Sequence, residues 1–241
     1  SFAKFEFEKL NEYLAKGGNI YVALSRTYSN LDEQFIDPLP NTGMEAWLQT
    51  KGIYIEQDNI IDENCGTIAV QQQQGNVMIN TPMQFPYYPI FTKFADHPIT
   101  KGLESVLMTC PSTLQIKSPL TSTTYTSLIF SSERSGTITP PTPIAIGKTW
   151  NDNDYTKKNI NCAVALESKR NNNTSRMVVI ANGTFAINGH NGMNELNPDN
   201  VTLAVNAIDW LSDDSGLIAL RSKQITSHPL KYVTDRNRTL L

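Results

Sequence analysis

Residues 162–185 read CAVALESKRNNNTSRMVVIANGTF, and this stretch decides how the chain is interpreted. It holds two apolar runs, Cys162–Leu166 and Met177–Ala181, whose length and β-branched character are typical of buried strands. Polar residues 169–175 separate the runs and predict a hairpin loop. The segment Asn182–Phe185 then follows the second strand at its carboxyl end, which is where ligands meet open α/β sheets.

A helix followed by glycine and then by a strand occurs twice near the N-terminus. Apolar residues recur at helical spacing between Ala3 and Leu14, and Gly17 can end that helix before the apolar run Asn19–Leu24. The same order recurs over Gly43–Ile55. Because parallel strands must be joined by crossover connections, this alternation predicts a parallel sheet covered by helices.

The middle of the chain, from about residue 59 to residue 143, has a different composition. Prolines, serines and threonines lie between short β-rich runs, which predicts strands and long loops, with Ser135–Pro143 as a flexible loop. A last helix over Val201–Leu211 should cover the sheet. We therefore expect a single α/β domain over residues 1–241 with a β-rich, loop-rich middle insertion.

The net charge of the chain argues against one functional class. A formal net charge of -3 provides no attraction to phosphate backbones, so we expect no nucleic-acid partner.

The chain starts at Ser1 without methionine, and residues 217–241 are basic. We interpret it as an extracytoplasmic domain excised from a longer membrane-anchored protein, with this tail next to a removed membrane helix. A solvated extension is the alternative interpretation of the tail.

The sequence contains no motif that predicts catalysis. No G-x-S-x-G elbow and no phosphate-binding glycine loop occurs. Ser25 follows the first predicted strand, but no glycine flanks it and the bulky Arg26 comes next. The cysteines lack the spacing of zinc ligands and are expected to be buried apolar residues: Cys65, Cys110 and Cys162. We expect no catalytic residue, no metal and no cofactor.

Seven segments occur in a characteristic order along the chain: Tyr13–Leu24, Gly52–Ile55, Asn59–Asp62, His97–Thr100, Arg176–Phe185, Asn206–Leu211 and Ile218–Lys223. Together they resemble the auxiliary extracytoplasmic component of gliding-motility-type ABC transport systems. This resemblance implies a three-layer, flavodoxin-like or class I glutamine amidotransferase-like fold, with a mostly parallel sheet, helices on both faces and no catalytic cysteine. The chain departs from the family pattern in lacking a strand before the first helix and in having Ser25 where an acidic residue is often found.

The resemblance also implies a function. We expect a non-catalytic auxiliary subunit on the periplasmic face of the bacterial inner membrane, anchored there by removed flanking helices. Its partners would be the permease and ATPase subunits of the transporter, together with an exported glycan or polypeptide. Two alternatives stay open: an amidotransferase-like hydrolase that uses Ser25 or a cysteine, and a periplasmic ligand sensor. A ligand or partner rim would be formed by Asn182, Gly183, Thr184, Phe185, His190 and Asn191.

Overall fold

The computed structural model of the chain describes residues 2–74, 77–170, 172–187 and 197–213. Its helices are α1 (Lys4–Ala15), α2 (Met44–Gln49) and α3 (Pro198–Ser212), and a 3-10 turn spans Pro98–Thr100. In chain order the strands are β1 (Ile20–Ala23), β2 (Thr27–Asn30), β3 (Phe35–Pro38), β4 (Ile53–Ile55), β5 (Asn59–Asp62), β6 (Cys65–Gln74), β7 (Val77–Phe91), β8 (Lys93–Phe94), β9 (Val106–Leu107), β10 (Leu114–Ile116), β11 (Thr123–Phe130), β12 (Ser135–Ile138), β13 (Thr142–Pro143), β14 (Asn161–Arg170) and β15 (Asn173–Ile180).

The centre of the described structure is a mixed sheet with the strand order β1-β15-β14-β11-β8. β1 runs parallel to β15, and the other three pairings are antiparallel. α1 and α3 lie on opposite faces of this central sheet. Met177 lines a cavity with Leu14 of α1. The adjacent Arg176 donates a hydrogen bond to the carbonyl oxygen of Trp210 in α3, and successive side chains of a strand point to opposite faces.

The remaining described strands form small antiparallel sheets. β10 pairs with β4, and β12 pairs with β5. β2, β3 and β13 form a third group, and β6, β7 and β9 form a fourth. β6 and β7 make a long hairpin whose outer half is mostly exposed, whereas residues 85–89 of β7 are buried.

The predicted fold class is wrong. The structure is strand-rich, and its sheets are mixed or antiparallel, so it is not a flavodoxin-like or amidotransferase-like three-layer fold with a mostly parallel sheet. The error arises at the second helix–glycine–strand unit, because β4 pairs antiparallel with β10 and does not join β1. The middle of the chain is not an insertion either, since β11 and β8 are strands of the central sheet.

The local predictions fared better than the topology. α1, β1, α2 and α3 are confirmed at the expected positions, and so is the hairpin of β14 and β15. Gly17 ends α1 in the left-handed region, at a φ of 89°. The loop predicted over Ser135–Pro143 is wrong, because this segment contains β12 and β13.

The buried side chains of the described residues form two hydrophobic clusters. The larger cluster contains the apolar residues of β14 and β15 together with Trp47 and Leu203 from the helices. The second cluster is centred on β3, β7 and the β13 region. β5 is buried along its whole length and contributes Ile60 to the larger cluster and Ile61 to the second one. The same short strand therefore connects the two clusters.

Candidate functional site

The carboxyl ends of the parallel strands β1 and β15 meet a loop at residues 109–113. Ser112 N–H donates to the carbonyl oxygen of Ala181 over 2.9 Å, which attaches this loop to the end of β15. Gly183 N–H donates to Ser25 Oγ over 2.8 Å. A side chain at Gly183 would begin 3.2 Å from the backbone nitrogen of Ser25. The glycine thus allows the ends of the two strands to come close together.

Asn182 braces this junction from inside the protein. Its side chain is 1% exposed. Nδ2 donates to the carbonyl oxygen of Thr109 over 2.6 Å, and Oδ1 accepts from the N–H of Thr184 over 2.9 Å. Both halves of the amide are therefore used within the protein, as buried polar groups require. The arrangement stabilises the loop and leaves Asn182 turned away from solvent.

Little of the predicted rim faces solvent in the described structure. Phe185 is buried, and Gly183 and Thr184 are half-buried. The cavity that Thr184 and Phe185 line measures only about 10 Å³, too small for more than a single water. His190 and Asn191 lie outside the described residues. The ligand rim therefore stays a prediction, and any ligand there would have to lie on the surface.

A buried ion pair that the sequence did not reveal lies beside Ser25. Arg26 Nη1 is 2.7 Å from Glu45 Oε1, and the two side chains are 8% and 9% exposed. Arg26 Nη2 also donates to Asn41 Oδ1 over 2.9 Å. The sequence signal for the role of Glu45 was its spacing from Thr42, which is typical of a capping box. In the structure Gly43 is the N-cap of α2, and Thr42 N–H donates to Glu45 Oε2 over 3.0 Å.

Several effects set the pKa of Glu45. Burial alone would raise it, but backbone N–H groups at the start of α2, the charge of Arg26 and the Thr42 hydroxyl outweigh burial. The pKa of Glu45 is therefore lowered, and the carboxylate is charged at neutral pH. An ionised pair in this position fixes the segment after β1 against the start of α2.

Comparison with known proteins now identifies the chain. A family model described as an ABC-type uncharacterized transport system matches residues 1–207. The chain belongs to this family. Searches of the curated proteins and of the solved structures found no match.

Membership of this transport-system family confirms the family suspected from the sequence segments. The segment Ile218–Lys223 lies beyond the matched residues, and it and the basic tail 217–241 lie outside the described residues. The chain is accordingly an auxiliary component of an ABC-type transport system. The matched residues run from α1 into α3, so the match includes every strand of the central sheet and the junction at Asn182. Among the described residues, no helix combines the length and the apolar character needed to cross a bilayer.

The cysteines of this transport-system component lie in surroundings that disfavour the thiolate. Burial raises the pKa of Cys110 to about 12, and it also raises the pKa of Cys162 and of Cys65. A raised pKa keeps a thiol protonated at neutral pH and weakens it as a nucleophile. The described residues contain no group of three or more His, Cys, Asp or Glu side chains that could hold a metal ion.

His97, the histidine inside the described part of the chain, packs against α3. Its ring lies edge-on to Trp210 with 5.1 Å between the centroids, and its Nδ1 accepts from the N–H of Ile99. Burial and then the charge of Arg176 lower the pKa of His97, so the ring is neutral at pH 7. The hydrogen bonds described for Ser25 do not include an imidazole.

Proposed function

We propose that the chain is a non-catalytic binding subunit of a gliding-motility-type ABC transporter, placed on the periplasmic face of the inner membrane. It associates there with the permease and ATPase subunits and contacts an exported glycan or polypeptide. Family membership carries this proposal, because it assigns the chain to a transport system of several components.

An exposed apolar surface supports a binding role. Val201, Val205 and Ile208 are 45%, 49% and 55% exposed and share one face of α3. Tyr13 of α1 and Ile208 line a shallow groove next to β1, which has no second strand neighbour among the described residues. We call this the edge surface and define it by Tyr13, Val201, Val205 and Ile208. Clustered exposed apolar residues mark protein interfaces.

The permease is the partner that we assign to the edge surface. An aliphatic stripe along one helix face suits a partner that presents an apolar groove. The residues of the edge surface carry no charge. Association at the edge surface therefore depends on apolar burial and should be insensitive to salt.

Copurification with the permease tests this assignment. Val205→Asp places a charge at the centre of the edge surface, and we expect at least a tenfold loss of permease recovered with the chain from detergent-solubilised native membranes. Met78→Asp is the matched control, because Met78 is 60% exposed on the β6–β7 hairpin. Undiminished permease recovery with Val205→Asp would contradict the assignment, and failure of the unmodified chain to recover the permease would reject the proposed function.

The non-catalytic part of the proposal needs a separate test. The cysteine thiols have raised pKa values, which disfavours the thiolate. The hydrogen bond described for the Ser25 hydroxyl comes from the backbone N–H of Gly183 and not from a base that could activate a nucleophile. Both observations support the absence of catalysis. We expect the purified protein to turn over neither amide nor ester substrates. Hydrolysis that disappears in Ser25→Ala or in a cysteine-to-serine variant would instead establish the amidotransferase-like hydrolase.

Labelling in cells tests the periplasmic location. Thr121 is exposed, and Cys110 and Cys162 are buried, so Thr121→Cys adds an accessible thiol. A membrane-impermeant maleimide should label this variant above the unmodified chain when only the outer membrane is permeabilised. Labelling that requires lysis of the inner membrane would reject the location.

A further inference from the structure

A cavity of about 380 Å³ lies between α1, the end of α2 and the central sheet. It lies at the end of β15 where Ser175 is found, and so opposite to the junction at Asn182. Its volume is within the range of small-molecule sites, about 300–1,000 Å³. The residues that line it determine which class of molecule it suits.

A row of hydroxyl groups crosses the floor of this cavity. Thr123, Ser168 and Ser175 lie opposite one another on the adjacent strands β11, β14 and β15. Residues in register share one face of the sheet. The oxygens Thr123 Oγ1 and Ser168 Oγ are 2.7 Å apart. Leu166 and Met177 are paired two residues further along β14 and β15 and so lie on the same face of the sheet. They continue the floor as an apolar surface.

Of the three cationic residues that line the same cavity, Arg176 is paired with Glu167, which leaves Lys51 and Arg170. Lys51 lies on the turn after α2, and Arg170 is the last residue of β14. Lys51 Nζ donates to Asn11 Oδ1 over 2.7 Å, and the same oxygen accepts from Trp47 Nε1 over 3.0 Å. Tyr125 Oη donates to the backbone oxygen of Lys51 over 2.7 Å. These contacts hold Lys51 at the rim.

Neither cation pairs with a carboxylate of the described residues. The ion pairs of that part of the chain include neither Lys51 nor Arg170. Glu167, the acidic residue of β14, is instead 3.2 Å from Arg176 Nε and 3.9 Å from Lys169 Nζ. Burial and then the charge of Arg170 lower the pKa of Lys51. The two positive charges therefore repel each other across the cavity.

We propose that this cavity binds a small organic anion, namely a phosphate ester or a carboxylate on a hydroxyl-bearing body such as a sugar. The anionic group lies between Lys51 and Arg170, which relieves their repulsion by charge-assisted hydrogen bonds. The hydroxyl-bearing body is hydrogen-bonded to the row of Thr123, Ser168 and Ser175. This inference is independent of the proposed transport role and of the edge surface.

Titration calorimetry at low ionic strength tests the proposal. The probes are glucose 6-phosphate, glucuronate, inorganic phosphate and, as the neutral control, glucose. We expect glucose 6-phosphate or glucuronate to bind more tightly than inorganic phosphate, and glucose to bind at least tenfold more weakly than either. Lys51→Gln and Arg170→Gln should each weaken binding of the organic anion at least tenfold, because each removes one of the two charges.

Lys93→Gln is the matched control, because Lys93 lies on the edge strand β8 and pairs with Phe130, at the end of β11 that is remote from Thr123 and the cavity. Its binding should equal that of the unmodified protein, and circular dichroism should show the same fold in all variants. No binding of any anion at millimolar concentration would overturn the proposal. So would an affinity in the Lys51→Gln and Arg170→Gln variants equal to that of the unmodified protein. Equal affinity for inorganic phosphate and glucose 6-phosphate would reject the organic body.

Discussion

The pair of Arg26 and Glu45 shows how strongly one buried contact can control stability at the residue scale. Arg26→Ala leaves the Glu45 carboxylate buried without its cation, and removing one partner of a buried pair costs about 3–5 kcal/mol. We expect urea unfolding to show a loss of that size. In Lys93→Ala the loss should stay below about 1 kcal/mol, because the pair of Lys93 and Glu133 is mostly exposed. Similar losses in both variants would contradict the argument.

The lowered pKa of Glu45 predicts a pH dependence with a definite sign. Because the folded pKa lies below the ordinary value of 4.5, the unfolded chain takes up the proton more readily. This contribution is complete above about pH 5 and is lost as the pH falls through the lowered pKa. Glu45→Gln should remove it, so the stability difference between the two proteins should shrink from pH 6 to pH 3.

Other carboxyls act in the opposite direction, which is why the difference between variant and unmodified protein is measured. Burial raises the pKa values of Asp58 and Asp62, so their contributions favour the folded state as the pH falls. These two groups are the same in both proteins and cancel in the comparison. A stability difference that stays constant or grows toward pH 3 would be inconsistent with a lowered pKa at Glu45.

The amide of Asn182 supports a third prediction. Asn182→Ala leaves the carbonyl oxygen of Thr109 and the N–H of Thr184 without a partner inside the protein. Leaving a buried polar group unsatisfied costs about 1–3 kcal/mol, and we expect a loss of this size in the free energy of unfolding. Asn153→Ala, at an exposed position, should change it by less than about 0.5 kcal/mol. An equally small effect of Asn182→Ala would show that this brace is unimportant.

At the scale of single elements, sequence patterns predicted helices and strands well but not the partners of the strands. The helix and strand around Gly52 were predicted correctly, yet a carbonyl of the segment after β10 approaches within 3.1 Å of the position where a side chain at Gly52 would begin. Such a contact joins residues about sixty positions apart, and local periodicity carries no information about it. The parallel sheet was therefore a wrong inference from correct elements.

Polar composition concealed the full length of β14 and β15 for a similar reason. The last four residues of β14, Glu167–Arg170, and the first four of β15, Asn173–Arg176, are polar but remain paired as strands. In the same way, the sequence located the loop at Asn182 but could not show that its amide is bonded to Thr109. The cavity beside Lys51 was also missed, because its lining residues come from separate parts of the chain.

The β6–β7 hairpin leads to a prediction about local opening. Its outer half pairs only with itself among the described strands, whereas residues 85–91 of β7 reach the buried clusters and β9. Segments with few buried apolar contacts open at lower free energy. Amides of residues 70–73 should therefore exchange with deuterium much faster than those of residues 87–91. Peptides from residues 162–166 of β14 provide the protected reference. Equal protection of residues 70–73 and residues 87–91 would contradict this view.

At the scale of the whole molecule, β5 is the element that should make unfolding cooperative. Its neighbouring residues Ile60 and Ile61 contact different clusters, so neither cluster can lose its packing without exposing this strand. Trp47 and Trp210 belong to the larger cluster, and Trp150 packs against the second. Trp150 therefore reports on the second cluster when Trp47 and Trp210 are replaced, and Trp47 and Trp210 report on the larger cluster when Trp150 is replaced.

We expect a single urea transition, with the same midpoint for far-ultraviolet circular dichroism and for tryptophan fluorescence. Fluorescence from Trp150 alone, with Trp47 and Trp210 replaced by phenylalanine, should coincide with circular dichroism of that same variant. Trp150→Phe is the complementary variant, in which fluorescence reports on the larger cluster. Coincident probes indicate two-state unfolding.

If Trp150 changes at a lower urea concentration than the backbone signal, the second cluster unfolds separately, and the expectation of a single domain is wrong. Ile61→Ala should then lower only the Trp150 midpoint, whereas cooperative unfolding requires it to lower both, because the clusters share β5.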